Sequence, residues 1–361
     1  MTPLDLDIAG TPLPTRDEGC EPLLSVENLR TEFDMREGTL LAVDDVSFDI
    51  QRGEIFSIVG ESGSGKTVTA MSIMGLIAPP GKIVSGSVHF DGQDLRSLSE
   101  RDLRAIRGSE ISMIFQDAMT ALNPVYSIGD QVGEPLRRHR GYNRKESLDA
   151  AVEALRKVGI ADADKRIRDH PHEFSGGMRQ RAMIAMAMIT EPKLLIADEP
   201  TTALDVTIQA QILELILEIA EEQGTSVLLI THDLGVVASI SDQMMVMYGG
   251  QVHESGSADQ VFTDPHGPYT WGLLALVPRL DSDLGKALDH ISGRPPSLTD
   301  RPPGCRFHPR CMHSREVCGI DAPTRISAAE GHDVLCHFAS EPQWSANRVL
   351  GVAHEGSTRE R

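Results

Sequence analysis

The sequence predicts an α/β fold built around a largely parallel sheet. Three apolar runs, at 55–59, 194–200 and 226–233, have the length and composition of core strands, and the last two close with charged or polar residues. Between those two, residues 208–223 carry apolar side chains at helical spacing, and Gly224 is a stop signal. Strands interleaved with helices in this order favour parallel pairing.

A glycine-rich loop, GESGSGKT at 60–67, lies between the first of these strands and an apolar-rich segment at 68–77. It matches the phosphate-binding pattern G-x-x-x-x-G-K-[ST] at every fixed position. Its glycines let backbone N–H groups point at phosphate oxygens, and the next helix presents its N-terminus to the same anion. We expect the lysine to reach the β- and γ-phosphates and the threonine to bind Mg²⁺. The predicted nucleotide-binding residues are Gly60, Glu61, Ser62, Gly63, Ser64, Gly65, Lys66 and Thr67.

Shorter patterns surround this loop. Residues 23–50 form two alternating runs separated by a turn-prone stretch at 36–38, which predicts two strands. Phe33 closes the first run and is a candidate to stack on an adenine ring, although a strand-end core aromatic explains it equally well. Residues 85–95 predict an edge hairpin around an Asp-Gly turn, and 243–256 predict a terminal hairpin.

The composition divides the chain into four successive parts, one of which contains an inserted subdomain. We expect a flexible leader at 1–22 and a nucleotide-binding α/β domain at 23–275. A helical pattern at about 118–174 indicates a helical subdomain inserted into that domain. A Pro/Gly-rich linker at 276–304 then leads to a small, loop-rich domain at 305–361, which contains four cysteines.

Charge and hydropathy exclude several classes of protein. The 361 residues carry a formal net charge of −19, so no general basic surface is available for nucleic acid. The chain lacks a continuous apolar stretch of the roughly 18 residues that a membrane span needs. Its start lacks the basic and apolar regions of a signal peptide, so we expect the chain to stay in the cytosol.

Two local features require an explanation beyond packing. The apolar strand at 194–200 runs into two consecutive carboxylates, Asp198 and Glu199. Ser175 can cap a helix whose first turn holds Gly176 and Gly177, and glycines are unfavourable there unless another group approaches the backbone closely.

In order along the chain, these motifs resemble the nucleotide-binding subunit of ABC transporters from about residue 23 to the last third of the sequence. Each short motif is weak alone, and their joint order is specific. The matching segments are the phosphate loop 60–67, Gln116 of the Q-loop, the signature FSGGMRQR at 174–181, the Walker B run LLIADE, the D-loop at 203–205 and the switch His232.

The resemblance assigns roles around a bound Mg²⁺–ATP. Asp198 would hold Mg²⁺ together with Thr67, and Glu199 would polarise the attacking water. Gln116 would sense the metal and the γ-phosphate, and His232 would hydrogen-bond the γ-phosphate. These assignments imply an ATPase.

The signature motif implies a second ATPase subunit. In this family Ser175, Gly176 and Gly177 would contact ATP bound at the phosphate loop of the opposite subunit, and Asp205 lies in the D-loop that belongs to the same nucleotide site. The usual leading Leu of the motif is Phe174 here and the usual Gln is Met178, a departure that affects packing more than chemistry.

Within the family, the chain is similar to the oligopeptide/dipeptide importers, a group that includes some nickel importers. The segments FQDAMTALNP at 115–124, DPHGPYTWGLLALVPRLD at 264–281 and PPGCRFHPRCMHSREVC at 302–318 are typical of that group. The resemblance implies a paralogous ATPase partner, two integral membrane permease subunits and an extracytoplasmic solute-binding protein, at the cytoplasmic face of the cell membrane. It implies no nucleic-acid partner.

The four cysteines of the C-terminal domain are spaced by x5, x6 and x17, without the C-x2–4-C hook of structural zinc sites. Four thiolates on a loop-rich segment also satisfy a [4Fe–4S] cluster, and members of the similar subgroup carry one. Zinc, aided by nearby histidines, and unliganded cysteines remain alternatives. The cysteines are Cys305, Cys311, Cys318 and Cys336.

Two other functions compete with peptide import. One is a non-transport ABC ATPase, for example in cluster assembly, and another is an importer of nickel or a different small solute. A regulatory ATP binder paired with a more active paralogue is disfavoured by the complete motif set. The sequence does not identify the cargo, because specificity in such systems lies in the membrane and binding-protein subunits.

Overall fold

The computed structural model describes residues 21–36, 38–116, 121–201, 206–276, 291–297, 299 and 301–341, without the side chains of 206 and 207. The predicted leader up to residue 20, Asp205, most of the predicted linker and the tail after residue 341 lie outside the described residues. Within the described part, no helix is both long and apolar enough to cross a membrane.

The strands and helices follow the order expected from the apolar runs. The strands are β1 (Leu24–Met35), β2 (Gly38–Ile50), β3 (Ile55–Val59), β4 (Gly81–Phe90), β5 (Gln93–Asp94), β6 (Ile111–Ile114), β7 (Leu194–Asp198), β8 (Ser226–Thr231), β9 (Gln243–Tyr248), β10 (Gln251–Ser257), β11 (Arg325–Ala329) and β12 (His332–Leu335). The helices are α1 (Lys66–Ile73), α2 (Glu100–Ile106), α3 (Ile128–Val132), α4 (Glu134–His139), α5 (Arg144–Lys157), α6 (Ala163–Arg166), α7 (Gly176–Met188), α8 (Val206–Gln223), α9 (Leu234–Ile240), α10 (Ala258–Thr263) and α11 (Pro268–Ala275).

Two sheets form the framework. The smaller sheet is antiparallel with the order β2-β1-β4-β5, and β4 and β5 form the predicted edge hairpin. The larger sheet has the order β11-β12-β10-β9-β3-β8-β7-β6, and β9, β3, β8, β7 and β6 are mutually parallel. The prediction of a largely parallel α/β sheet is therefore confirmed.

Apolar cores cover both faces of the parallel strands, as their continuous apolar sequences require. Along β7, Leu194 and Ile196 pack with the small sheet and α1, whereas Leu195 and Ala197 face the core formed with α7 and α8. The helices α3 and α5 pack on α7, so the helical segment lies over the second of these cores. The carboxyl ends of the parallel strands thereby meet at one edge, where ligands bind in sheets of this kind.

The cysteine segment, residues 305–341, continues the large sheet. Strand β12 pairs antiparallel with β10 through Glu254 opposite Val334, and β11 pairs with β12. The fully buried Glu254 lies 2.8 Å from the Nε2 atom of His332 and accepts backbone hydrogen bonds from His266 and Gly267. The predicted terminal hairpin β9–β10 is thus followed by two further strands of the same sheet.

Candidate functional site

The phosphate-binding pattern forms the turn between β3 and α1. Gly60 and Gly65 have φ values of +152° and +106°, in the region that L side chains rarely adopt. A Cβ atom at Gly65 would lie 2.5 Å from the carbonyl oxygen of Ala42, and one at Gly60 would overlap the carbonyl oxygen of Met247. Only glycine fits at these two positions, because the loop passes directly against β2 and β9.

Lys66 is held inside this loop. Its Nζ atom donates hydrogen bonds to the carbonyl oxygens of Gly60, at 2.7 Å, and Glu61, at 3.0 Å. Burial lowers the pKa of Lys66, and the carboxylates of Glu199, Asp198 and Glu61 oppose that decrease. The loop therefore presents a buried ammonium group whose charge a phosphate would compensate.

Asp198 lies beside the start of α1. The Oγ1 atom of Thr67 donates a hydrogen bond to its Oδ1 atom at 3.1 Å. Burial raises the pKa of Asp198; the Thr67 hydrogen bond and Lys66 oppose this rise, while Glu199 adds to it. A hydroxyl and a carboxylate at this distance form a set of hard oxygen ligands suited to Mg²⁺.

The carboxylate of Glu199, the residue after Asp198, contacts a different set of side chains. Gln116 donates a hydrogen bond from Nε2 to the Oε2 atom of Glu199 at 3.0 Å, and His232 Nδ1 lies 3.7 Å from the same oxygen. Glu199 has a φ of +44°, and its backbone N–H donates to the carbonyl of Ile230. This uncommon backbone conformation turns two consecutive carboxylates toward different neighbours.

A cleft of about 370 Å³ opens over the phosphate loop. Phe33, half-buried near the end of β1, lines it together with Gln116 and Glu199. Sequence analysis did not identify three apolar lining residues, Met35, Leu40 and Ala42, because nothing in a strand pattern marks which side chains face a cleft. The structure thus places the Phe33 ring in the wall of this cleft, and its stacking on a nucleotide base stays a prediction.

The signature residues do not line this cleft. Ser175 caps α7 by accepting a hydrogen bond from the backbone N–H of Met178, and Gly176 and Gly177 form the first turn. A Cβ atom at Gly177 would meet only the Ile208 side chain at 3.7 Å, an ordinary contact. Packing within the described part of the chain therefore does not require glycine at this position.

The four predicted cysteine ligands line one cavity, which we call the thiol cavity. All four are free thiols. Three are half-buried, and Cys318 is buried. His253, His308, His313 and His337 line the same cavity. Among the described residues, no group of three or more His, Cys, Asp or Glu side chains is arranged to hold a single metal ion.

The thiols of this cavity are held largely in their neutral form. Burial raises the pKa of Cys311 to about 12 and that of Cys336 to about 11; neighbouring cysteines add to both shifts, and backbone hydrogen bonds oppose them. Burial also lowers the pKa of His253 to about 3, and its Nε2 atom has no hydrogen-bond partner within the described part of the chain. A cationic group with hydrogen-bond acceptors would satisfy these side chains.

Two sequence profiles of known families match this chain. The sequence profile described as "ABC transporter" matches residues 43–202, and the one described as "Oligopeptide/dipeptide transporter, C-terminal region" matches residues 253–318. The first match includes the phosphate loop, Gln116 and both carboxylates, and the second includes three of the four cysteines.

Curated relatives and solved structures agree with these profiles. The dipeptide transport ATP-binding protein DppD of Bacillus subtilis is 52% identical over 88% of this chain and 94% of its own length. The oligopeptide transport ATP-binding protein OppD of Salmonella typhimurium is 51% identical over 83% of this chain and 89% of its own. The ATP-binding cassette MJ0796, solved as a dimer bound to ADP and Pi, is similar with a TM-score of 0.59 and 29% identity, over 65% of this chain and 98% of that one.

These comparisons confirm the predicted ABC ATPase fold and ATPase activity. The relatives are similar over nearly their whole lengths, including the cysteine-containing region. The chain belongs to the ABC transporter family, among the ATP-binding proteins of oligopeptide and dipeptide transporters.

Proposed function

We propose that this chain hydrolyses ATP to power the import of dipeptides or oligopeptides. The observation that carries this proposal is the cleft over the phosphate loop, where a buried lysine, a Thr67–Asp198 pair and a Gln116–Glu199 pair meet. Relatives about half identical in sequence are named dipeptide or oligopeptide transport ATP-binding proteins, which indicates the cargo class.

The residues of the site have separate roles in ATP hydrolysis. Lys66 and the backbone N–H groups of the loop bind the β- and γ-phosphates, and Phe33 stacks on the base. Thr67, Gln116 and Asp198 would hold Mg²⁺, which when bound would neutralise negative charge on the phosphates. Glu199 takes a proton from the attacking water, and His232 holds the γ-phosphate in line for that attack.

The site requires a second ATPase subunit. Ser175, Gly176 and Gly177 offer a hydroxyl, backbone N–H groups and a helix N-terminus but do not line the chain's own cleft, which is consistent with binding the γ-phosphate at a partner's phosphate loop. The resemblance implies that Asp205, which lies outside the described residues, contributes to the same nucleotide site. We infer that the partner is a paralogue, and that the pair binds two integral membrane permease subunits at the cytoplasmic face of the membrane, supplied by an extracytoplasmic solute-binding protein.

We propose that the thiol cavity holds a [4Fe–4S] cluster. Cys305, Cys311, Cys318 and Cys336 line this cavity, and four thiolates are the usual ligands of such a cluster. The buried Nε2 of His253 can donate to a cluster sulfide. When bound, the cluster would join segments too short to build their own core.

Peptide uptake tests the proposed function. The chain and its membrane partners are reconstituted into proteoliposomes with ATP enclosed and the solute-binding protein outside, and accumulation of a labelled peptide is measured. Lys66→Ala should abolish uptake, whereas Lys193→Ala, which removes a surface ammonium paired with Asp91 and Glu110, should not. ATP hydrolysis that no peptide or membrane partner alters would contradict the transport role.

Metal analysis tests the cluster separately. Iron, zinc and acid-labile sulfide are measured per chain after anaerobic purification. About four irons and four sulfides per chain would support the cluster. Stoichiometric zinc, or chain without metal, would contradict it.

A further inference from the structure

The loop between Cys305 and Cys311 reaches the phosphate loop. Arg310, which directly precedes Cys311, forms a two-pronged ion pair with Glu61: Nη1 lies 2.7 Å from Oε2 and Nη2 lies 3.0 Å from Oε1. The arginine side chain is 6% exposed and the Glu61 side chain 23% exposed, so water screens the pair only partly.

The surroundings hold Arg310 in this orientation. Its Nε atom donates to the carbonyl of Ser292 at 3.1 Å, and its guanidinium lies 5.6 Å from the centre of the Tyr248 ring. Hydrogen bonds to Glu61 and Tyr248 raise the pKa of Arg310 against the opposing effect of burial. The guanidinium is therefore a fixed positive charge at the edge of the nucleotide site.

A second contact joins the thiol cavity to the same residue. Tyr269 lines that cavity, and its hydroxyl accepts a hydrogen bond from the backbone N–H of Glu61 at 3.0 Å. The Phe307 ring packs against Tyr248 and Tyr269, each with a centroid separation of 5.2 Å. The side chain and the backbone of Glu61 are thus both held by groups that border or adjoin the cysteine segment.

Glu61 is an unfavourable residue for a loop that binds anions. Its carboxylate belongs to the loop that surrounds the phosphates, and its carbonyl oxygen accepts a hydrogen bond from Lys66. An unpaired carboxylate there would repel ATP and compete for the lysine charge, and partial burial strengthens that repulsion. The ion pair with Arg310 offsets this charge and directs it away from the loop interior.

We propose that Arg310 of the cysteine segment is a positioning residue for ATP binding, which neutralises Glu61 and so sets the nucleotide affinity of the phosphate loop. The inference rests on the proposed ATP site and deepens it. It makes the C-terminal segment part of the nucleotide-binding machinery, in addition to any role in holding a cluster.

The test is an ATP-affinity series on the full-length chain. Titration with a fluorescent ATP analogue gives Kd, and steady-state hydrolysis gives KM and kcat. We expect Arg310→Ala to raise Kd and KM about ten-fold with kcat changed by less than about two-fold. Arg310→Lys, which keeps the charge without the two-pronged geometry, should stay within about three-fold of the unmodified chain.

A variant without the Glu61 charge tests whether Arg310 acts by neutralising that charge or by holding the phosphate loop in place. Glu61→Gln removes the carboxylate and leaves the Arg310 charge without its ion-pair partner, so we expect Glu61→Gln alone to lower the Kd for ATP. The double variant Glu61→Gln/Arg310→Ala should recover to within about three-fold of the unmodified Kd. If Arg310→Ala lowers the melting temperature, it is replaced by Arg310→Met, which keeps the apolar part of the side chain, in both the single and the double variant.

A matched control lies in the same segment. Arg315 pairs with Glu341 through two 2.9 Å contacts, and its guanidinium lies over the Phe338 ring, so Arg315→Ala breaks a two-pronged but more exposed pair in the cysteine segment. It should leave Kd for ATP unchanged. The inference is wrong if Arg310→Ala binds ATP normally, or if Glu61→Gln weakens binding as much as Arg310→Ala does. Failure of the unmodified chain to bind ATP would instead contradict the proposed function.

Discussion

The side-chain amide of Gln116 donates a hydrogen bond to Glu199 over 3.0 Å, linking the segment after β6 to the end of β7. The two residues are 83 positions apart in the sequence. The parallel strands β6 and β7 are neighbours, so their carboxyl ends bring this amide and carboxylate to the same side of the phosphate loop. This contact orients the proposed general base.

Glu199→Gln should abolish most hydrolysis while leaving ATP binding intact. The variant keeps the Gln116 contact site but cannot accept a proton from water, so we expect kcat to fall by about 10²–10⁴-fold. ATP would then accumulate in a closed dimer, which light scattering or size-exclusion chromatography detects. Glu218→Gln, on an exposed position of α8, is the control. Normal turnover by Glu199→Gln would contradict the assignment of the base.

The Mg²⁺ requirement should depend on pH through Asp198. Only the ionised carboxylate binds Mg²⁺, and burial raises its pKa, so Mg²⁺ affinity should decrease as pH falls through that raised pKa. The decrease should begin at a higher pH than for an ordinary aspartate.

Asp198→Asn should weaken apparent Mg²⁺ affinity roughly 10–100-fold and remove this pH dependence. Mg²⁺ titrations of ATP hydrolysis between about pH 5 and pH 8 measure both effects. The exposed Asp149→Asn is a matched control. An unchanged pH profile in Asp198→Asn would assign the titration to another group.

Gly177→Ala should show whether glycine at this position is needed for folding or for contact with a partner subunit. A Cβ atom at this position has room within the described part of the chain, and alanine favours a helix, so thermal stability should be equal or slightly higher. If the signature approaches a partner's ATP, the methyl group should reduce hydrolysis at least about ten-fold while single-chain ATP binding persists. Unaltered hydrolysis would contradict an interface role for Gly177.

The metal-free thiol cavity should resist alkylation. With the pKa of Cys311 near 12 and that of Cys336 near 11, the thiolate fraction at neutral pH is very small. We expect iodoacetamide at about pH 8 to modify them on the order of 10²–10³-fold more slowly than a free cysteine, with the rate rising as pH increases. Mass spectrometry of chelated protein measures this, and rapid labelling of both residues would contradict the buried, neutral state.

Much of the fold could be predicted because its signals are local. The apolar runs that became β3, β7 and β8 are continuous, and the phosphate-binding pattern lies within eight adjacent residues. The left-handed backbone at Gly65 and the capping role of Ser175 also follow from local chemistry. Such features form wherever the flanking strand and helix form.

Other features depend on packing between distant segments. The sequence predicted a small domain after a linker, and the pairing of β12 with β10 was not expected from any strand pattern. Cysteine spacings of x5, x6 and x17 do not show that all four thiols reach one cavity. Strand pairing and loop closure between remote segments are selected by the whole core, and no short window of sequence encodes them.

The sequence by itself determined the family, the ATP-binding loop and the identity of the polar residues at the strand ends, since each is fixed by residue type over a short span. Only the tertiary structure decided that Arg310 meets Glu61, 249 positions away. That contact exists because the cysteine segment packs against β9, α11 and the phosphate loop. Many contacts between distant residues stabilise this packing, and no short sequence motif predicts them.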